Sequence, residues 1–170
     1  MDPRPKVVVT GASGLLGRHL LQALGDRYYV HAMARRSPRD VGIELRPNVR
    51  WVPVDVGEEA SVRGAVESIR QWGGADYVVH LAGYYDFTYS DHPEYERTNV
   101  GALGILLEAC RPLGLRRFVY ASSIGACRVT RRRVPVTEDS PADGEHLYAV
   151  TKARGEQMVR ALAGEVPSVI

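Results

Sequence analysis

Lysine is nearly missing from this sequence: of 22 basic residues in 170, only Lys6 and Lys152 are lysines. The skew is of the kind that genome composition imposes, and it draws attention to each lysine that remains. Cysteine is also scarce. Cys110 and Cys127 are the only two, without CxxC spacing, which excludes a disulfide framework and a cysteine-based metal site. No run approaches the roughly 18 apolar residues that a membrane-spanning helix needs. Excess charge is lacking too: a net charge of +2 is too small to imply a nucleic-acid or membrane partner. The segment Met1-Asp2-Pro3-Arg4-Pro5 leads straight into an apolar run, leaving no room for a signal peptide, so a soluble cytoplasmic protein is expected.

What is present is ordinary for a globular chain. An apolar fraction of 45% and a charged fraction of 25% suit one domain over residues 1–170, long enough to bury a core. Short β-branched runs alternate with longer helical stretches, the pattern of repeated βα units and a parallel sheet. Strands are predicted at Lys6–Thr10, Tyr29–Ala34, Val49–Asp55, Asp76–Ala82 and Arg117–Ser122, with a sixth beginning at Pro167–Ile170. Helices are predicted at about Gly14–Leu24, Ala60–Gln71, from Asp91-His92-Pro93-Glu94 to Cys110, and His146–Ala163. For the third helix Asp91 is the expected cap, with Pro93 in the first turn and Glu94 closing a capping box. The fold class is therefore α/β, a doubly wound parallel sheet of Rossmann type with flanking helices. The sequence ends where such a sheet would still be growing, so a domain truncated before its last strands is expected.

The first strand runs into Thr10-Gly11-Ala12-Ser13-Gly14-Leu15-Leu16-Gly17. Glycines at this spacing permit a tight turn and close approach of backbone N–H groups to a pyrophosphate, and the helix N-terminus adds partial positive charge. The last glycine lets helix and strand pack closely. At the tip of the second strand, Met33-Ala34-Arg35-Arg36 has no acid to accept from a ribose 2′-hydroxyl. Arg35, with Arg36, would instead attract a 2′-phosphate, which favours NADP(H) over NAD; two solvated loop arginines are the bland alternative. Asp55 closes the third strand, where it can accept from an adenine amino group or serve as a local cap.

Tyr148 and Lys152 stand four apart on a predicted helix and so share a face. An adjacent ammonium favours the phenolate and makes a tyrosine a usable general acid/base. The pair is common by chance, but it follows Ser122-Ser123 at the tip of the fifth strand, where a hydroxyl can donate to a substrate oxygen. His80, Asp86, Asp91 and His92 are scattered and match no metal-site spacing. Arg128 and Arg131-Arg132-Arg133 read as a solvated loop, since no aromatic residues interleave with them. Tyr84-Tyr85-Asp86-Phe87 is aromatic for a loop and could line a pocket or cover the sheet edge.

Taken together these segments resemble the extended short-chain dehydrogenase/reductase superfamily, the group that contains NAD-dependent epimerases and dehydratases. Thr10–Gly17 is similar to its TGxxGxxG turn, Asp55-Val56 to its adenine-contacting segment, and His80-Leu81-Ala82-Gly83 to its fourth-strand motif. Asn99 resembles a structural asparagine of the family, Ser122-Ser123 its strand-five serine pair, Thr137–Pro141 the loop before the last helix, and Tyr148 with Lys152 its YxxxK pair. The resemblance implies catalytic roles for Ser123, Tyr148 and Lys152: Tyr148 exchanges a proton, Lys152 holds the nicotinamide ribose, and Ser123 polarises the substrate oxygen. It implies cofactor contacts from Gly11, Ser13, Gly14, Leu15, Leu16, Gly17, Arg35, Arg36, Asp55, Val56, Leu81, Ala82, Gly83 and Asn99, besides Tyr148 and Lys152. NADP is the expected cofactor and NAD the alternative, with no metal. The implied activity is hydride transfer at a hydroxyl or carbonyl carbon of a small-molecule substrate. A nucleotide-sugar epimerase or dehydratase, or a non-catalytic NAD(P)-sensing module, is the alternative. Family members continue for well over a hundred residues more and add a C-terminal substrate domain. In many relatives the helices carrying the asparagine and tyrosine form a dimer bundle, which leaves a homodimer open.

Overall fold

The β-branched run Lys6–Thr10 forms strand β1, in which Val7, Val8 and Val9 are all buried, as a strand covered on both faces must be. The computed structural model describes residues 2–88, 90–128 and 135–170. β1 is followed by α1 (Leu15–Leu24), β2 (Tyr29–Ala34), β3 (Val49–Pro53), α2 (Glu59–Gln71) and β4 (Tyr77–His80). A π-helical stretch, Tyr95–Gly101, runs into α3 (Ala102–Cys110), and β5 (Arg117–Tyr120), α4 (Leu147–Ala161) and β6 (Ser168–Val169) complete the order. All pairings are parallel, and the strands lie in the order β3-β2-β1-β4-β5-β6. The order reverses direction between β1 and β4. Above that point the carboxyl ends of the two strands diverge and leave a crevice.

Alternation along each strand sorts the core into two layers. Val8, Met33, Val52, Val78 and Phe118 point to one side, against Val62, Val66 and Ile69 of α2, Leu103, Leu106 and Leu107 of α3, and Val159 of α4. Val7, Val9, Val30 and Ala32 point to the other, where Leu21 of α1 covers them. At the opposite end of the strands Asp76 is a staple. Its carboxylate accepts from the Lys6 N–H at 2.8 Å and faces Arg116 at 3.3 Å, tying the starts of β1, β4 and β5. His31 is buried in β2, stacked 5.9 Å from Trp72, whose other neighbour is the Arg50 guanidinium at 4.1 Å from the ring centre.

The expected elements are all present, but three strands stop two residues early. β3, β4 and β5 leave the ladder at Pro53, His80 and Tyr120, so that Asp55, Leu81-Ala82 and Ser122 belong to the crest above the sheet rather than to the strands. The expected capping box is not formed. The His92 ring, not Asp91, accepts the Glu94 N–H at 3.1 Å, while the Glu94 carboxylate turns away to Arg97 (2.6 Å) and Thr98 (2.8 Å). The helix beyond it is wound with one extra residue per turn through Gly101, and the Ala102 N–H donates to the Arg97 carbonyl.

α4 lies close to β5 because Gly155 has no side chain. A Cβ there would sit 2.2 Å from the Tyr120 hydroxyl and 3.1 Å from Leu103. Among the described residues the buried Tyr120 hydroxyl has no hydrogen-bond partner, and burial pushes its phenol well above the ordinary range. Gly155→Ala is therefore expected to lower stability by about 1–3 kcal/mol through overpacking. Tyr120→Phe, which deletes an unpartnered hydroxyl, is expected to be neutral or stabilising and to recover part of that loss in the double variant. Urea denaturation of the four proteins reads the cycle, and strict additivity would contradict the contact.

Candidate active site

The glycine turn rests on backbone, which explains its composition. Gly11 has φ +67°, and a Cβ on it would lie 2.8 Å from the Ala82 nitrogen and 2.9 Å from the Leu81 carbonyl carbon. A Cβ on Gly17 would come within 2.3 Å of the Gly11 oxygen and 2.7 Å of Ala12 Cα, so the first turn of α1 packs directly on the loop. Gly14 begins the helix and its N–H donates to the Gly11 carbonyl at 2.9 Å. No side chain caps α1 and no acid occupies its first turn, while Leu15 and Leu16 are 66% and 63% exposed. The orphan N–H groups of that turn thus face the crevice with their partial positive charge uncompensated, an arrangement suited to an anion.

A cavity of about 320 Å³ opens beside this turn. Gly11, Ser13 and Gly14 line it from the turn after β1, Arg35 and Arg36 from beyond β2, Val54 and Val56 from beyond β3, and Leu81, Ala82 and Gly83 from beyond β4. Four separately predicted segments therefore meet in one place. Arg36 is braced, its guanidinium donating to the Ser13 carbonyl at 3.1 Å. Arg35 is exposed and makes no hydrogen bond among the described residues. Asp55 is not in the lining. Its carboxylate accepts from the Gly57 N–H at 2.9 Å and from both terminal nitrogens of Arg97 at 3.3 Å. Burial would raise the Asp55 carboxyl, but the Gly57 N–H and the Arg97 guanidinium outweigh it and hold it low. Arg97 also faces Glu94 and Glu58 and fills the space above Gly57, where a Cβ would fall 2.2 Å from the guanidinium.

The β1 and β4 ends are joined by a buried pair. The Thr10 hydroxyl accepts from the Ala82 N–H at 3.2 Å and lies 2.8 Å from His80 Nδ1. His80 is fully buried and stacks 6.0 Å from Tyr120, and burial first, then the Lys152 charge, push its imidazole down to about 3. The ring is thus neutral, and it shares one proton with the Thr10 hydroxyl across this contact. Asn99 ties the next loop to α4. Its amide donates to the Tyr84 carbonyl (3.0 Å) and the Thr151 hydroxyl (3.1 Å), and its oxygen accepts from the Tyr84 N–H (2.7 Å). Asn99 is buried and occupied by the protein itself.

At the β5 tip the two serines part. Ser122 donates to Glu156 of α4 at 2.6 Å, whereas Ser123 caps a short turn, Ile124–Ala126, its hydroxyl oxygen accepting from the Gly125 N–H at 3.1 Å. Lys152 is 7% exposed; its ammonium donates to the Ala121 carbonyl and lies 4.2 Å from the Tyr120 ring centre. Burial pushes its pKa down to about 8, with Glu156 acting in the opposite sense. Tyr148, one turn earlier, is packed edge-on against Tyr85 at 4.7 Å and Tyr95 at 6.5 Å and stacked with His146 at 6.2 Å. The aromatic loop therefore adjoins Tyr148: Tyr85 also meets Phe87 at 4.7 Å, and Tyr84 meets His92 and Tyr95. Glu156 and Arg97 carried no signal in the sequence, since neither belongs to a spacing that points to chemistry.

Among the described residues no group of histidine, cysteine or acidic side chains could hold a metal ion, and no helix is long and apolar enough to cross a membrane. Arg131, Arg132 and Arg133 lie outside the described residues.

The sequence profile of the NAD dependent epimerase/dehydratase family matches residues 7–169. The chain is 31% identical over 160 residues to a dihydroflavonol 4-reductase of Callistephus chinensis, covering 87% of this chain and 42% of that protein. It is 30% identical over 159 residues to a UDP-glucose 4-epimerase of Azospirillum brasilense, covering 92% and 44%. A solved short-chain dehydrogenase/reductase superfamily protein from Agrobacterium tumefaciens, with bound NAD, matches with a TM-score of 0.80 at 28% identity, over 97% of this chain and 48% of that one. The chain spans about half the length of these relatives.

The neutral His80 inside this site makes stability sensitive to acid. Its pKa falls from an ordinary 6.5 to about 3 on folding, so the unfolded chain binds more protons between those values and stability is lost as pH falls through that window. His31, held down at about 4 by burial and then by Arg50 and Lys6, acts in the same direction. Each contributes a slope of up to about 1.4 kcal/mol per pH unit. His80→Gln is expected to flatten the pH 6.5-to-4 dependence of unfolding free energy by about one proton's worth, and an unaltered slope would contradict the neutral buried ring.

Proposed function

The chain belongs to the NAD-dependent epimerase/dehydratase family, and from that premise we propose an NADP(H)-preferring oxidoreductase of the extended short-chain type, acting at a hydroxyl or carbonyl carbon. The observation that carries this reading is the buried Lys152 ammonium one helical turn from Tyr148. Lysine is among the residues least often fully buried, and a buried ammonium is costly unless its charge is used. The glycine cradle supports the cofactor assignment independently: the space a Cβ would fill at Gly11 and Gly17 is taken by backbone, and the uncapped N–H groups of α1 suit a pyrophosphate.

Gly11, Ser13, Gly14, Leu15, Leu16 and Gly17 would hold the pyrophosphate. Val56, with Asp55 beside it, would meet the adenine, and Leu81, Ala82 and Gly83 would border the ribose and nicotinamide side. When bound, the nicotinamide supplies or accepts the hydride. Tyr148 moves the proton between its phenol and the substrate oxygen, and the Lys152 ammonium favours the phenolate during that exchange. Ser123 accepts from the Gly125 N–H, so its own proton is left to donate to the substrate oxygen as charge develops there. Asn99 acts at one remove, holding the Tyr84 loop and α4 in register.

Arg35 supports the preference for the 2′-phosphate. It borders the cavity beyond β2, and the nearest acids, Asp55 and Glu94, are engaged by Arg97. NAD remains the alternative, and it is what the Agrobacterium structure contains. The likeness to a UDP-glucose 4-epimerase favours a second reading, a nucleotide-sugar epimerase or dehydratase that retains its cofactor. Cofactor that co-purifies, with no net consumption of NADPH, separates it from the first. A small-molecule substrate, a cytoplasmic setting and a homodimer built on the π-helical and α4 segments accord with either reading.

In a fluorescence titration, NADPH is expected to bind at least about tenfold tighter than NADH, a difference of about 1.4 kcal/mol, and Arg35→Ser to remove most of that margin. Equal affinities in the unaltered protein would refute the preference. In the complete protein Tyr148→Phe is expected to lower turnover by about 10²–10⁴-fold while changing NADPH affinity little. Undiminished turnover would remove Tyr148 from the proposed chemistry.

A further inference from the structure

α4 carries Tyr148, Lys152 and Glu156 at four-residue intervals, hence on one face. Two successive turns of that face grip two consecutive residues at the β5 tip: Lys152 donates to the Ala121 carbonyl, and Glu156 accepts from the Ser122 hydroxyl at 2.6 Å. Glu156 is largely buried, its side chain 17% exposed, and its second oxygen faces Arg160 at 3.4 Å across the helix surface. We propose that Glu156 is a positioning residue for Lys152, clamping the strand end that receives the ammonium and placing a carboxylate where it holds that ammonium charged. The proposal rests on Lys152 being the ammonium that acts on Tyr148.

The clamp decides where the chain leaves β5. Ser123, the next residue, starts its turn from a backbone fixed on one side by the Lys152 contact and on the other by the Ser122–Glu156 bond. A glutamine would serve a purely mechanical tether equally well, because an amide oxygen also accepts from a hydroxyl. The carboxylate has an electrostatic consequence that a glutamine lacks. The other titratable groups facing Lys152 are the Tyr120 ring from β5, the buried His80 from β4 and Tyr148 on its own helix. His80 is neutral, and the Tyr120 phenol is held in its neutral form by burial. Glu96, from the π-helical stretch, is paired instead with Arg154 at 2.6 Å on the outer face of α4. The charge opposing desolvation of the ammonium therefore comes from Glu156.

Having only Lys6 and Lys152 as lysines makes the test direct. With ¹³Cε-labelled lysine and Lys6→Arg to assign the remaining signal, the Lys152 resonance is expected to titrate near 8. Glu156→Gln, which keeps an acceptor for Ser122, is expected to lower that midpoint by roughly half a unit or more with little change in Tm. A midpoint unchanged in the folded variant would overturn the proposal and leave Glu156 a tether. Ser122→Ala provides the reverse separation: it releases the carboxylate without removing it, and is expected to lower both Tm and the Lys152 midpoint. Should Glu156→Gln fail to fold, Ser122→Ala decides, and an unchanged Lys152 midpoint in that variant would overturn the coupling. None of these readings needs substrate or cofactor. A failed NADPH titration would therefore leave them standing, and a fixed lysine midpoint would leave the cofactor reading standing.

Discussion

Everything at the crevice depends on one backbone-to-backbone contact, that of the Gly11 turn against the end of β4. Parallel pairing of β1 with β4 brings Thr10 level with His80, and the chain above must then turn within the width of a strand spacing. No side chain fits between Gly11 and Leu81-Ala82, so the turn lies flat on β4 and the first residues of α1 descend onto it through Gly17. The Ala82 N–H is taken by the Thr10 hydroxyl, which also meets His80 Nδ1 at 2.8 Å. The same contact thus opens the crevice, aims the helix N-terminus into it, and lies directly above the buried His80.

That contact explains why some of the site was legible in the sequence and some was not. Glycine spacing is a local signal, because a positive φ and a missing Cβ leave a mark at the residue that needs them. The buried strands are equally local, being continuous β-branched runs. The ends of β3, β4 and β5 fall two residues before the expected ones because the apolar pattern continues past the strands into Val54, Leu81 and Ala121; the Val54 and Ala121 N–H groups still reach the Ala34 and His80 carbonyls, and the chain leaves the sheet beyond them. Helix winding could not be foreseen at Tyr95–Gly101. Asp91-His92-Pro93-Glu94 has the composition of a capping box, yet Arg97 competes for Glu94 and wins with a charge-assisted bond of 2.6 Å. Arg97 itself was invisible because, besides the nearby Glu94, its partners Asp55 and Glu58 are some forty residues away in sequence, as its hydrogen bond to Asp55 records.

The functional side chains divide by how they are held. Asp55, Asn99, Ser122 and Arg36 are each spent on protein partners, and their contribution is to fix loops. Ser123 accepts a single bond from the Gly125 N–H, Tyr148 is held by ring contacts, and Arg35 makes no hydrogen bond among the described residues. For Tyr148 the holding is done by ring packing: Tyr85, Tyr95 and His146 surround the phenol ring. Phe87, 82% exposed, continues that aromatic wall away from the sheet. Ring packing orients a side chain at little cost to its polar end, which accords with the proton-exchanging role proposed for Tyr148.

Lys152 shows why composition and geometry must be considered together. A chain so weighted to arginine has placed arginine at nearly every position that needs a cation on the surface, including Arg97, where a planar fork grips two carboxylates. At position 152 the fork would be a poor fit. The site is a narrow space between the Tyr120 ring and a single carbonyl, it is mostly closed to water, and burial lowers the pKa of the ammonium it holds. A guanidinium presents five donors that this space could not satisfy, and its charge does not respond to burial in the accessible range. An ammonium on a flexible stem satisfies itself with one carbonyl and the face of a ring, and it remains responsive to the carboxylate one turn further on. The scarcity of lysine is therefore informative at this one position: it marks a buried space that holds a compact ammonium, whose pKa burial lowers, and that a planar fork would fit poorly.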